Sequence, residues 1–172
     1  RELPDCQMIW LGGGYPELHA RALAANAPML AQLRAAHQRG VAIYAECGGL
    51  MYLGSTLKDA QGEVHAMADI LPGDSKMGQR LTRFGYCEAR AERQTLLAAP
   101  GERLRGHEFH YSDFTARIPP VMACSKTRDC EVLAQWQGGW QLGNTFASYL
   151  HVHFAQHPAM LNHWFAAARS VL

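Results

Sequence analysis

The chain has 172 residues, of which 48% are hydrophobic and 18% charged, and its formal net charge is +1. This length fits one domain over residues 1–172, and the near-neutral charge lacks the basic character of a nucleic-acid-binding protein. No apolar run reaches membrane-spanning length, and the five cysteines contain no CxxC pair. We therefore expect a cytoplasmic protein with reduced thiols that binds neither nucleic acid nor membrane.

The first third of the chain predicts a strand–helix–strand unit. The apolar run 6–11 is typical of a buried strand and ends in three glycines. Apolar residues then recur at helical spacing over 18–37, and a second apolar run at 41–45 predicts another buried strand. Positions 50–53 suit the start of a further helix. Such units form parallel sheets with right-handed crossovers.

The remainder of the chain alternates strand-like runs with turns. Residues 64–117 read as strands and turns, 130–140 as a hairpin around two glycines, and 145–154 as a further strand. The segment 158–172 predicts a helix. Four apolar side chains would form one face of that helix: Leu161, Trp164, Phe165 and Ala168. Together these elements predict an α/β domain with a mixed sheet.

Cys47 is the strongest candidate for a catalytic residue. It follows a predicted buried strand and precedes Gly48 and Gly49, a pattern that favours a sharp, strained turn into a helix. The amino end of that helix would favour the thiolate, and the Gly48 N–H would lie where it can bind an oxyanion. A buried structural cysteine is the alternative. The other thiols lack this setting: Cys6, Cys87, Cys124 and Cys130.

A cysteine nucleophile needs a base, and two histidines late in the chain are candidates. His151 and His153 would share one face of a strand, because side chains alternate along a strand. An imidazole can accept the thiol proton and return it to a departing amine. Packed or surface histidines are an equally plausible interpretation of these two residues.

Four segments in chain order carry a resemblance to a known family. They are GGGYPE at 12–17, AECGGLMYL at 45–53, GHEFHYS at 106–112 and SYLHVHF at 148–154. The chain resembles the carboxy-terminal glutaminase domain of cobyrinic or hydrogenobyrinic acid a,c-diamide synthases, over nearly its whole length. The resemblance implies a flavodoxin-like class I glutamine amidotransferase fold, an α/β architecture whose mixed, mostly parallel sheet is flanked by helices.

The resemblance also implies roles for individual residues. Cys47 would be the nucleophile and His151 its activator, and glutamine would be hydrolysed through a thioester with release of ammonia. The backbone N–H groups of Gly13 and Gly14 would join that of Gly48 in binding the oxyanion. A tight turn without catalytic duty is the alternative for the glycine loop.

The family's synthase domain lies amino-terminal to the glutaminase domain and uses ATP and magnesium to activate corrin-ring carboxylates. The sequence begins at Arg1 rather than methionine, so we expect that synthase domain to be absent from this chain. On this interpretation, the glutaminase domain itself holds no cofactor or metal. Its partners would be glutamine, the synthase domain of the same polypeptide and, through that domain, a corrinoid whose a and c carboxylates are amidated.

Three alternatives to this function stay open at the level of sequence. The first is the glutaminase of cobyric acid synthase or of another ligase-linked amidotransferase. The second is a non-catalytic docking module with the same fold. The third is a thiol hydrolase or chaperone of a related α/β family.

Two positions depart from the wider amidotransferase pattern. Many relatives carry glutamate two residues after the histidine, where this chain has His153, so a Cys–His dyad describes it better than a triad. Many also carry glutamine four residues after the cysteine, where this chain has Met51. Substrate glutamine must therefore be held by other groups.

The segment His107-Glu108-Phe109-His110 resembles a metal motif but is not HExxH, because position 111 is tyrosine. On a strand, His107 and Phe109 would face one side and Glu108 and His110 the other. We expect no metal here, and instead expect His107 and Glu108 to help bind the substrate glutamine, with packing as the alternative. Two further carboxylates, Glu17 and Glu46, are candidates for binding the glutamine amino group or are ordinary surface residues.

Overall fold

The computed structural model describes residues 2–170, which form thirteen strands and four α-helices. The strands are β1 Met8–Leu11, β2 Ala42–Glu46, β3 Thr56–Lys58, β4 Val64–Ala66, β5 Gly73–Met77, β6 Arg83–Ala91, β7 Arg103–His110, β8 Ser112–Ala116, β9 Met122–Arg128, β10 Glu131–Gly138, β11 Trp140–Leu142, β12 Thr145–Ser148 and β13 His151–Val152. The helices are α1 Ala20–Ala25, α2 Ala27–Gln38, α3 Gly48–Leu53 and α4 Pro158–Arg169. Two short 3-10 turns span Pro16–Leu18 and Phe154–Gln156.

The central sheet has the strand order β1-β2-β12-β11, with β1, β2 and β12 parallel and β11 antiparallel. It is mixed, as the sequence pattern predicts, and mostly parallel, as the family resemblance implies. Every residue of β2 is buried because both faces of this strand are covered. Ile43 and Ala45 join the core cluster on one side of the sheet, whereas Ala42 and Tyr44 join the cluster on the other.

Helices cover the central sheet on both faces. On one face α2 packs its buried residues, among them Leu33, into the same cluster as Ile43. On the other face Trp164 of α4 packs its ring edge against Tyr44, with ring centroids 5.6 Å apart. The Trp164 indole N–H donates to the carbonyl of Ala42 at 3.1 Å. None of the four helices in residues 2–170 is long and apolar enough to cross a bilayer.

Two further sheets surround this core and were not foreseen as separate sheets. One is fully antiparallel, with the order β10-β9-β6-β7-β13, and the other has the order β4-β3-β5-β8. The expectation of strands and turns over 64–117 is confirmed. Their assignment to separate sheets depends on pairings between distant segments, which hydrophobic periodicity does not report.

The predicted hairpin over 130–140 is wrong. β10 pairs with β9 through a turn at Asp129 and Cys130, both with positive φ, and β11 pairs with β12 in the central sheet. Gly139, with φ +62°, carries the chain from one sheet to the other. The two glycines thus mark a change of sheet and not a tight connection between paired strands.

The prediction of one strand over 145–154 is also wrong, because this segment forms two strands in two different sheets. β12 lies in the central sheet and β13 in the antiparallel sheet, with Tyr149 and Leu150 crossing between them. β13 ends at Val152, so His153 lies outside it and is exposed. The expectation that His151 and His153 share one strand face is therefore wrong.

Two helical predictions need smaller corrections. The pattern over 18–37 is broken at Asn26, whose side chain caps the N–H of Met29 at 3.3 Å and begins α2. In α4 the buried stripe is Met160, Trp164 and Ala168, whereas Phe165 is 47% exposed. Phe165 is therefore wrongly assigned to the core face. The predicted continuation of this helix to 171–172 lies outside the described residues.

Candidate active site

Cys47 occupies a strained turn between β2 and α3. Its backbone angles are φ 47° and ψ −101°, a left-handed conformation that a residue with a side chain rarely adopts. The Cys47 N–H donates to the carbonyl of Ser148, at the end of the neighbouring strand β12, at 2.8 Å. The strained strand-to-helix turn that the sequence predicts is confirmed, and it lies at the carboxyl end of the parallel strands.

The glycines around Cys47 permit two segments to approach each other closely. A methyl group on Gly48 would lie 2.7 Å from the carbonyl oxygen of Gly14, and one on Gly49 would collide with the backbone of Leu11. The loop 12–14 therefore passes directly over the start of α3. This arrangement brings the three predicted oxyanion residues, Gly13, Gly14 and Gly48, to one place.

His151, on β13, lies against the glycine loop 12–14. It pairs with His107 in the β13–β7 ladder, and its half-exposed ring lies against Gly13. A methyl group on Gly13 would lie 3.2 Å from His151 Nδ1. Burial lowers the pKa of His151 below 6.5, an effect that Glu46 opposes, and so favours the neutral imidazole that a base requires.

Glu46, immediately before Cys47, is only 4% exposed and faces His151. Its Oε1 accepts hydrogen bonds from the Tyr44 hydroxyl at 2.6 Å and from the Val152 N–H at 3.0 Å. Its Oε2 lies 3.7 Å from His151 Nδ1. The surface role considered for Glu46 is therefore wrong. The signal in the sequence was a carboxylate closing a fully apolar strand, where charge is seldom buried without a partner.

The Cys47 thiol is buried and protonated at neutral pH. Burial raises its pKa to about 11, the carboxylates of Glu17, Glu108 and Glu46 add to the rise, and only the Gly48 N–H opposes it. The expectation that the amino end of the helix favours the thiolate is confirmed in direction, because the Gly48 N–H lowers the pKa, but burial and the three carboxylates outweigh this effect. The thiol donates weakly to the Phe109 carbonyl at 3.9 Å. A base would therefore have to remove the thiol proton before Cys47 could act as a nucleophile.

His107 and Glu108 lie on opposite faces of β7, as the alternation of a strand predicts. His107 lines an open groove that also contains His151 and His153. Glu108 is buried on the other face, where its Oε2 lies 3.5 Å from His110 Nε2 and 3.8 Å from the Nε of Arg83. The structure therefore does not bring the two predicted substrate-binding side chains to one pocket.

The buried pair Glu108 and His110 lines a cavity between the antiparallel sheet and β12, with a volume of about 150 Å³. His110 Nδ1 donates to the Ser112 carbonyl at 2.8 Å, and its ring stacks on Tyr149. Glu108 Oε2 and His110 Nε2 have no hydrogen-bond partner among the described residues. Sequence reasoning did not foresee His110 at this position beside the site.

A row of exposed aromatic side chains continues from the groove. Phe84 packs edge-on against both His107 and Phe109, and Phe109 packs against Tyr111. Tyr86, 76% exposed, packs against His107 from the other side. We call Phe84, Tyr86, Phe109 and Tyr111 the aromatic row; it borders the groove that holds His151.

The model of the CobB/CobQ-like glutamine amidotransferase domain family matches residues 1–159. The chain belongs to this family. It is 76% identical, over its whole length, to the cobyrinate a,c-diamide synthase of Salmonella typhimurium, and 51% identical over 97% of its length to that of Listeria monocytogenes. The chain spans 38% and 37% of the lengths of these two relatives.

Solved structures share the fold at low sequence identity. PurLQS from Thermotoga maritima matches with a TM-score of 0.65 at 16% identity, covering 96% of this chain and 82% of that chain. A glutamine amidotransferase matches with a TM-score of 0.59 at 15% identity, covering 95% of this chain and 79% of that one. The expected class I glutamine amidotransferase fold and the expected family are both confirmed.

Proposed function

We propose that this amidotransferase domain hydrolyses glutamine through a thioester on Cys47, with His151 as the general base and acid. The observation that carries the proposal is the convergence, around the strained Cys47 turn, of His151, of Gly48 and of the loop that contains Gly13 and Gly14. Nucleophile, base and backbone donors are the three parts that acyl transfer requires. They come from separate stretches of the sequence.

In the first half-reaction the Cys47 sulfur attacks the side-chain amide carbon of glutamine while His151 takes the thiol proton. The N–H groups of Gly13, Gly14 and Gly48 stabilise the oxyanion. His151 then gives its proton to the amide nitrogen, the C–N bond breaks, and ammonia leaves. In the second half-reaction His151 deprotonates a water molecule that attacks the thioester. The C–S bond breaks, glutamate is released, and His151 returns the proton to the sulfur, which restores the thiol.

The substrate would occupy the groove that His107 lines next to His151. His107 can donate or accept a hydrogen bond there, which suits the polar main-chain groups of glutamine. Glu108 would act from the opposite face of β7, where its carboxylate raises the pKa of both Cys47 and His151. We therefore assign His107 to direct substrate contact and Glu108 to the electrostatics of the site.

The ammonia would serve an ATP- and magnesium-dependent synthase domain on the amino-terminal side of the same polypeptide. Relatives named cobyrinate a,c-diamide synthase are more than twice as long as the matched segment. The whole protein would amidate the a and c carboxylates of cobyrinic or hydrogenobyrinic acid. The aromatic row beside the groove offers an apolar surface of the kind that a domain interface buries. The free thiols suit a cytoplasmic location.

The experiment that tests the glutaminase site is covalent labelling with diazo-oxo-norleucine, a glutamine-derived electrophile, followed by intact-mass analysis and peptide mapping. We expect one adduct, on Cys47, whose formation is prevented by excess glutamine. Exposed Cys130 is an internal control for nonspecific reaction, and Cys47→Ala should abolish labelling in a folded protein. Labelling on Cys130 alone, or labelling of Cys47 that glutamine does not suppress, would reject the proposal in favour of a docking module or another thiol enzyme.

A further inference from the structure

Within the described residues, one carboxylate lies within 4 Å of a His151 ring nitrogen, and it is not at the position where the wider amidotransferase pattern places one. Position 153 holds an exposed histidine beyond the end of β13. Among the described residues, the carboxylate within 4 Å of a His151 ring nitrogen is that of Glu46, which approaches from β2. The chain therefore supplies an anionic neighbour to the imidazole from the residue that precedes the nucleophile.

The Glu46 carboxylate is fixed before any substrate binds. Burial of an ionised carboxylate is costly unless donors compensate it, and here the Tyr44 hydroxyl and the Val152 N–H both donate to Oε1. The Val152 contact ties Glu46 to the strand that carries His151. Oε2 is thereby turned toward His151 Nδ1 at 3.7 Å. A side chain needed only as an acceptor for two donors could equally be glutamine.

We propose that Glu46 is the positioning residue of this site, which orients His151 and stabilises its protonated form, so that Cys47, His151 and Glu46 act as a triad. This inference rests on the proposed glutaminase function. An Nδ1–H directed at Glu46 leaves Nε2 of the neutral ring as the base. The proton moves from the Cys47 sulfur to Nε2 and then to the departing nitrogen. Glu46 remains ionised throughout.

The charges around His151 decide how its titration responds to Glu46. Glu46 faces it from β2, and three groups face it from β7: His107, Glu108 and His110. The two carboxylates raise the pKa of His151, whereas burial and the two other imidazoles lower it, and the sum lies below 6.5. Removal of the Glu46 charge should therefore shift the His151 titration to lower pH.

The variant that isolates this charge is Glu46→Gln, because the amide oxygen can still accept from Tyr44 and Val152. We expect kcat for glutamine hydrolysis to fall roughly 10- to 100-fold with little change in KM. This is less than the ~10⁴-fold loss of kcat that follows removal of the orienting carboxylate in serine proteases, because the contact between carboxylate and imidazole is longer here. The acid limb of kcat/KM should move to lower pH. The matched control is Glu92→Gln, which makes the same change from carboxylate to amide at an exposed position.

A second measurement does not depend on turnover. In 15N-labelled protein, long-range 1H–15N NMR reports the tautomer and titration of each histidine, with His151→Ala giving the assignment. We expect wild-type His151 to be the Nδ1–H tautomer at pH 8, and Glu46→Gln to lower its titration midpoint. A wild-type Nε2–H tautomer would overturn the proposal even if the variant fails to fold. An unchanged midpoint and unchanged kcat in folded Glu46→Gln would also overturn it.

The two measurements separate this inference from the proposed function. If wild-type protein hydrolyses no glutamine and Cys47 is not labelled, the proposed function fails and the catalytic triad fails with it. If hydrolysis depends on Cys47 and His151 but Glu46→Gln matches wild type in rate, pH profile and NMR titration, the glutaminase stands and the positioning role of Glu46 is rejected.

Discussion

The imidazole of His151 rests against the α-carbon of Gly13, so that a methyl group there would lie 3.2 Å from Nδ1 and closer still to Cε1. The glycine whose N–H is proposed to stabilise the oxyanion thus lies directly against the proposed base. Any side chain at position 13 must displace one of them. The contact makes this glycine a sensitive test of the site geometry.

Gly13→Ala should lower glutamine turnover by about 10²-fold, because a displacement of about 1 Å at a catalytic group costs that much. The neighbouring Gly12→Ala is the matched control, since a methyl group on Gly12 has no atom within 4 Å. Steady-state hydrolysis and thermal unfolding should be measured for both variants. Equal activity in the two folded variants would show that the contact has no catalytic consequence.

His151→Ala should lose roughly 10²- to 10⁴-fold in kcat/KM, the usual contribution of a general acid–base group. His153→Ala should change the rate by no more than about twofold, because His153 is exposed and lies beyond β13. Initial-rate measurements of glutamate release decide the ranking. The opposite ranking would move the base to His153 and contradict the site described above.

The acid limb of the kcat/KM profile should have its midpoint below pH 6.5. His151 accepts a proton only when neutral, and burial lowers its pKa, so the active form persists to lower pH than for a free imidazole. The measurement is hydrolysis of glutamine across the acid range, with a stability check at each pH. An acid limb centred above 6.5 would mean that a group other than His151 controls the rate.

The parts of the site that lie close together in sequence could be predicted from it. The apolar run before Cys47 and the two glycines after it specify a strand, a tight turn and a helix, all of which form over adjacent residues. The same holds for the alternation of His107 and Glu108 along β7. Local periodicity and turn chemistry carry this information.

Features that depend on distant pairing could not be predicted in this way. The buried Glu46 carboxylate accepts a hydrogen bond from the Val152 N–H, 106 residues away, and nothing near Glu46 in the sequence reports that contact. The division of residues 145–154 between two sheets likewise follows from β12 pairing with β2 and β13 pairing with β7. The thiol pKa also depends on carboxylates brought together by the fold.

The Cys47 thiol should react with neutral iodoacetamide at a rate that keeps rising about tenfold per pH unit through pH 9. Only the thiolate is nucleophilic, and with a pKa of about 11 its fraction is still increasing there. Quenched-reaction peptide mapping follows Cys47 separately from exposed Cys130, which reports on the reagent itself. A rate that levels off near pH 7 would indicate a stabilised thiolate and contradict the buried, protonated thiol.

Trp164→Ala should destabilise the protein by about 3–5 kcal/mol, the usual cost of removing a large buried aromatic side chain. Trp164 packs against Tyr44 and donates to the Ala42 carbonyl, so the substitution also removes a hydrogen bond to a buried acceptor. Phe165→Ala, next along the same helix, should change the free energy of unfolding by no more than about 0.5 kcal/mol, since the ring is 47% exposed. Urea unfolding of both variants measures the difference. Equal losses of unfolding free energy in the two variants would mean that α4 is rotated on the sheet relative to the packing described above.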